Sequence, residues 1–198
     1  MKGEPCFMQT IVISGPPAVG KTTVAKIIAK RLPVKYVSGG DMLKELAKEQ
    51  GYKVGGEEWW DTKEGQKFLR ERAKDYKYDL EVDRRLQGLV AKGDHIITSY
   101  AIPWLNPGGI KVWLKGSQST RARRMARRDK IPVSDALKIV KMRDTENAEL
   151  YKKMYGYDFD KDLSVFDLMV NTEMIDAEAV SQIVIDYVRL VTDRAAVD

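Results

Sequence analysis

Residues Gly15-Pro-Pro-Ala-Val-Gly-Lys-Thr22 spell a complete G-x-x-x-x-G-K-[ST] loop. The apolar run Thr10-Ile-Val-Ile13 precedes it and reads as a strand, and Thr23-Val-Ala-Lys-Ile-Ile-Ala-Lys30 follows with apolar residues at helical spacing. A strand, this loop and a helix in that order make a phosphate cradle. Glycines let the backbone N–H groups wrap a polyphosphate, and the helix adds its N-terminal partial positive charge. Gly15, Ala18, Val19, Gly20, Lys21, Thr22 and Thr23 are therefore the expected contacts to the phosphates of a nucleotide. Lys21 is expected to reach the terminal phosphates as a catalytic charge, and the Thr22 hydroxyl to hold Mg²⁺. A chance glycine-rich turn explains the eight positions far less well, because both flanks also fit.

The rest of the chain alternates strands with helices. Val34–Val37, His95–Thr98, Ile110–Leu114 and Phe166–Val170 read as further strands. Helices are expected over Met42–Gln50, Thr62–Lys74, Leu80–Ala91, Ser119–Asp129, from a Ser134 cap to Tyr155, and over Ala177–Val191. Ser99–Pro103 is expected as a loop. This pattern predicts a three-layer α/β/α fold around a five-stranded parallel sheet, whose ligands bind beyond the carboxyl ends of the strands. At 198 residues, 43% hydrophobic and 32% charged, the chain has the length of one soluble domain. No apolar run approaches a membrane span, and no signal peptide is read before the first strand, so a cytoplasmic setting is expected. The single cysteine, Cys6, forbids an internal disulfide and reads as a bystander thiol.

The net charge of +5 suits either a nucleic acid or an anionic small substrate. Arg121, Arg124 and Arg128 share one face of the basic helix by i, i+3, i+4 spacing, with Arg123 and Arg127 beside them. Surface aromatics interleaved with these charges, which single-strand binding would require, are missing, so nucleic acid is not the expected partner.

Loops of this kind serve GTPases, motors, transporters and kinases, and further segments discriminate among them. Ser38-Gly-Gly-Asp-Met-Leu-Lys44 resembles the segment after the second strand of nucleoside monophosphate kinases, and no N-K-x-D base-recognition motif of GTPases occurs. With Arg124-Met-Ala-Arg-Arg-Asp129, Arg143-Asp144 through Tyr151, Tyr155-Gly-Tyr-Asp158 and Phe166–Thr172, the chain is most similar to the archaeal type of cytidylate kinase. The likeness spans nearly everything except about residues 51–80. It implies a single kinase domain over 1–198. The core would take about 8–50, 93–116 and 160–198, a helical acceptor-binding region about 40–92, and a mobile lid about 117–158. It implies transfer of the γ-phosphoryl group of ATP to a small acceptor, with Mg²⁺. Arg124 and Arg128 would close on the phosphates as catalytic residues. Asp41 would align the acceptor or a metal-bound water; an N-cap for its own helix is an equally good reading. Ser38, Gly39, Asp41, Lys44, Tyr100, Arg143 and Asp144 would bind the acceptor.

Three positions depart from that pattern. Lys44, Tyr100 and Leu150 stand where the family carries arginines for the acceptor's monophosphate. Lysine keeps the charge without the bidentate fork, and tyrosine and leucine lose it. Each lost charge-assisted bond is worth roughly 1.5–3 kcal/mol. Lys53, Lys63 or Arg70 could compensate; otherwise the acceptor is not a nucleotide but another small molecule, such as a phosphorylated mevalonate or another alcohol. Trp59 and Trp60 fall in the least family-like region, with packing favoured over ligand contact. Outside the kinases, an RNA-associated ATPase or assembly factor using the basic lid as an RNA surface stays open. Oligomeric state is not read from the sequence.

Overall fold

The computed structural model describes residues 8–55, 59, 62–72 and 74–195; Cys6 and Trp60 lie outside them. In chain order the elements are β1 (Ile11–Ser14), α1 (Lys21–Arg31), β2 (Lys35–Ser38), α2 (Gly39–Glu49), α3 (Lys63–Arg72) and α4 (Lys77–Lys92). They continue with β3 (His95–Thr98), α5 (Ile102–Leu105), β4 (Ile110–Lys115), α6 (Gln118–Asp129), α7 (Val133–Tyr155), β5 (Leu168–Asn171) and α8 (Ala177–Ala195). The five strands form one sheet in the order β2-β3-β1-β4-β5, and every pairing is parallel.

Period-two alternation divides the strands between two cores. Ile11 and Ile13 of β1 pack with Val24, Ala25 and Ile28 of α1 and with Val180, Val184 and Val188 of α8. Val12, between them, faces Met42, Leu43 and Leu46 of α2, Leu86 of α4, Trp59 and Phe68. Strands buried on both faces read as continuous apolar runs, which is how β1 and β3 stood out. A parallel sheet covered on both faces is the expected three-layer arrangement. Two smaller cores complete the molecule. Ala122, Met125 and Ala126 of α6 pack on Ala136 and Val140 of α7, with Ala18 of the phosphate loop against them. Ala101, Trp113, Tyr151 and Phe159 form an aromatic core that also takes in Tyr100, Trp104, Tyr155, Tyr157 and Phe166.

Several boundaries differ from expectation, each for a local reason. α4 starts at Lys77, and Leu80, expected on its apolar face, is 51% exposed. The buried face holds Tyr78, Asp79, Val82, Asp83, Leu86 and Val90, so two carboxylates belong to it and Leu80 does not. α7 begins at Val133 after Pro132, whose carbonyl accepts from the N–H groups of Asp135 and Ala136, so Ser134 lies inside the helix and is not its cap. β5 is displaced toward Asn171 because Phe166 turns its ring onto Trp104 and Trp113. Part of the expected loop after β3 is the short helix α5: Ser99 Oγ accepts from the N–H groups of Ala101 and Ile102, and Pro103 fits a first helical turn.

Candidate active site

The loop between β1 and α1 is shaped by backbone that few residues tolerate. Gly15 has φ +142°, and a Cβ there would lie 2.3 Å from the Leu114 carbonyl oxygen of β4. Only glycine fits so close an approach. Gly20 (φ +111°) opens α1, and Ala18 is held left-handed at φ 59° with its methyl against the core of α6 and α7. Val19 is 2% exposed. Thr22 and Thr23 are exposed in the first turn of α1, whose N–H groups at that end have no intrahelical acceptors.

Lys21 folds back over this loop. Its ammonium donates to the carbonyls of Gly15 (2.7 Å) and Pro16 (2.9 Å) and lies 4.3 Å from the centroid of the Tyr100 ring. Desolvation chiefly, with help from the Arg143 and Arg121 charges, lowers the Lys21 pKa, while Tyr100 opposes the shift. Burial alone would push the Tyr100 phenol up; the Lys21 and Arg143 cations outweigh it and bring the phenol below its ordinary value. Arg143, exposed on α7, therefore lies within electrostatic reach of both.

The basic helix α6 is not a plain solvated face. Arg121 is 4% exposed and donates through Nε to Gly116 O, through Nη1 to Pro17 O, and through both Nη atoms to Asp144 at 2.8 and 2.7 Å. Arg124 donates to Val19 O (3.0 Å) and to the hydroxyl and carbonyl of Thr172. Two arginines thus tie α6 to phosphate-loop carbonyls. Arg128, one turn further, pairs with Asp129 at the exposed end of the helix. Glu173 accepts from Ser117 N–H and the Thr120 hydroxyl at the start of α6; these bonds hold its carboxyl down to about 2.

The expected acceptor residues are spread over three elements. Ser38 caps α2: its hydroxyl oxygen accepts from Asp41 N–H (2.9 Å) while the hydroxyl donates to the Asp41 carboxylate (2.6 Å). Ser38 is the cap and Asp41 the residue three positions on, so Asp41 is not the N-cap of this helix. Gly39 and Gly40 begin the helix, and Lys44 is half-buried one turn later. Asp144, expected on the acceptor side, has one oxygen taken by Arg121 and the other by Arg121 and Gln118. Leu150 packs at the edge of the aromatic core. Lys53, Lys63 and Arg70 are exposed. Trp59 is 2% exposed among Leu43, Phe68 and Tyr78, and its indole N–H donates to Lys53 O, so it is a packing residue. His95 holds the Gly93 carbonyl at the start of β3.

Sequence reasoning missed a polar group on the same side. Arg72 of α3 grips Asp79 with two bonds, and Tyr155 of α7 donates to Asp83 Oδ2 at 2.7 Å. The available signal was the pair of acids at i, i+4 within the apolar period of α4.

Comparison with known proteins bears on this arrangement. The profile of the Cytidylate kinase-like family matches residues 10–174. The chain belongs to this family. Among its relatives, the cytidylate kinase of Sulfurisphaera tokodaii is 34% identical over 180 residues, covering 89% of this chain and 93% of the relative. That of Ignicoccus hospitalis is 35% identical over 176 residues, covering 87% and 95%. Among solved structures, a shikimate kinase from Acinetobacter baumannii shares the fold with TM-score 0.55 at 18% identity, over 91% of this chain and 93% of its own. This member of the family is an ATP-dependent small-molecule kinase of α/β fold. Among the described residues no helix is long and apolar enough to cross a membrane.

Proposed function

We propose that this kinase transfers the γ-phosphoryl group of ATP to a small acceptor held between α2, α4 and the C-terminal half of α7, and that cytidylate is a poor acceptor. The observation that carries this reading is the Tyr100 ring against the Lys21 ammonium. A phenol occupies the loop where the family resemblance calls for an arginine on the acceptor's phosphate, and Leu150 is a second uncharged replacement.

For the donor, the glycine-shaped loop and the exposed N-terminus of α1 suit the β and γ phosphates, with Lys21 as the fixed charge. Mg²⁺ fits too: the exposed Thr22 hydroxyl suits a cation shared with phosphates and water. Bound there, Mg²⁺ supplies charge neutralisation at the transferred group. The acceptor hydroxyl oxygen bonds to the γ-phosphorus as the bond from that phosphorus to the β–γ bridging oxygen breaks; ADP leaves, and the hydroxyl proton is released to solvent. In this reading Lys21, Arg124 and Arg128 stabilise the developing charge. Asp41 and Ser38 shape the acceptor entrance, with Gly39, Lys44, Tyr100 and Arg143 around it, and Asp144 acts through Arg121. The domain division follows the same reading, with the lid in about 117–158, and the setting is the cytoplasm.

A second reading, cytidylate as a good acceptor, is favoured by the names of the relatives and by Arg143 near Lys21. ADP release measured with cytidylate and with unphosphorylated alcohols separates the two. Tyr100→Arg with Leu150→Arg should raise cytidylate kcat/KM by at least about tenfold, the scale of one charge-assisted bond. A wild-type enzyme with a micromolar KM for cytidylate, the tight end of the usual range, overturns the reading.

A further inference from the structure

Lys21 carries the donor chemistry proposed above, yet its surroundings oppose a cation. Among the described residues it forms no ion pair: its ammonium donates to the uncharged carbonyls of Gly15 and Pro16. Asp144, the acid within electrostatic reach of Tyr100, is already held by Arg121 and Gln118. Desolvation first, and then the Arg143 and Arg121 charges, lower the Lys21 pKa. What opposes them is Tyr100, whose ring centroid lies 4.3 Å from the ammonium. That is well inside the reach of roughly 6 Å for a cation over an aromatic face.

The ring is held from behind. Phe159 meets it edge-on at 5.6 Å and Tyr151 of α7 lies at 6.0 Å, and these two are only 4% and 6% exposed. Ser99, the residue before it, accepts from the N–H groups of Ala101 and Ile102 and so fixes the backbone at this bend. Tyr100 is therefore placed by the fold before any ligand arrives. The residue type matters as much as the place. A carboxylate here would pair with Lys21 and compete with the ATP phosphates, and a guanidinium would add another cation beside Lys21 and Arg143. An aromatic face attracts the ammonium without supplying an anion. Its pull is weaker than the charge-assisted bonds that a phosphate offers, so the phosphates still win.

We infer that Tyr100 is a positioning residue: its ring face keeps the Lys21 ammonium on the phosphate loop, ready for the terminal phosphates of ATP. This rests on the proposed kinase reading in one respect, that Lys21 is the charge on those phosphates. It gives Tyr100 a part on the donor side in addition to its place at the acceptor entrance. The contact needs no acceptor, so it can be tested without one.

The test is pulse acetylation of the full chain with acetic anhydride across the pH range of lysine titration, read at Lys21 by mass spectrometry, with and without a non-hydrolysable ATP analogue and Mg²⁺. The free amine is what reacts, so the midpoint of the pH curve reports how firmly the cation is held. The other charged or titratable groups facing the pair are Arg121 on α6, Arg143 and Asp144 on α7, and Tyr151 behind the ring; all stay unchanged in every variant. Tyr100→Phe keeps the ring face and Tyr100→Leu removes it. Replacing Tyr100 by a trifluorinated phenylalanine keeps the shape but strips the negative charge from the face. The midpoint should be highest in wild type, lower in Tyr100→Phe, lower again in Tyr100→Leu and with the fluorinated ring, and lowest in Tyr100→Arg. The Phe and Leu variants should differ by about one pH unit, or about tenfold in rate below the midpoint, the scale of a desolvated cation over a ring. Equal midpoints for Tyr100→Phe and the fluorinated ring, or a Tyr100→Arg midpoint at or above that of Tyr100→Leu, overturn the inference. Should Tyr100→Leu fail to fold, the fluorinated ring, which packs as phenylalanine does, decides alone. The ATP analogue should protect wild-type Lys21 from labelling. A Lys21 left unprotected overturns the placement of the phosphates and the inference with it, whereas a wrong order of midpoints with protection intact overturns the inference alone.

Discussion

Arg121→Ala is the sharpest test of the claim that the basic helix braces the phosphate loop. The guanidinium uses Nε and both terminal nitrogens in four hydrogen bonds, with Arg121 and Asp144 side chains 5% and 23% exposed. Removing it leaves two carbonyls without a donor and Asp144 with only the Gln118 amide. Breaking a buried pair by deleting one partner costs about 3–5 kcal/mol, against at most about 1 kcal/mol for an exposed pair. Asp144 is partly wetted, so the lower part of that range is expected. At about 2–4 °C per kcal/mol for a chain of this size, the melting temperature should fall by roughly 6–12 °C. Urea and thermal denaturation of Arg121→Ala, Asp144→Asn and the double variant measure the loss and the coupling. The double variant should fall short of additivity by at least about 1 kcal/mol. Because Pro17 O loses its donor, the KM for ATP should rise in Arg121→Ala while acceptor KM changes less. A loss under about 1 kcal/mol with no coupling would return Arg121 to an ordinary surface charge and refute the bracing argument.

Two further outcomes follow from the site. Lys21→Ala should give a folded protein whose phosphotransfer, by coupled ADP release, is lower by at least about 100-fold, the effect of losing one fixed electrostatic donor; near-normal turnover would remove the phosphate loop from the mechanism. Asp83, raised to about 6 chiefly by burial and by Asp79, with Tyr155 and Arg72 opposing, binds its proton more tightly folded than unfolded. The native state therefore holds the extra proton between about pH 4 and 6, and stability should fall as pH rises through that window, by up to about 3 kcal/mol. Asp83→Asn should flatten that slope in urea titrations, and an unchanged slope would rule the assignment out.

The phosphate loop and its flanking elements were legible because their signal is local: eight positions, a strand before and a helix after. The sheet followed from strand–helix alternation, and its parallel pairing from connections too long for hairpins. The departures at Lys44, Tyr100 and Leu150 were equally plain, since a residue type is read directly. Position 80 shows where such reasoning stops. Helical period groups residues into faces without saying which face is buried, and tertiary packing chose Asp79 and Asp83 over Leu80. The same holds for Arg121, which spacing groups with Arg124 and Arg128 on one basic face; only the position of α6 against the loop turned it inward onto Pro17. Likewise, nothing near Tyr155 in the chain announces Asp83, 72 residues away. Local chemistry writes itself into sequence, whereas a burial direction and a pairing across the fold exist only once the elements have packed.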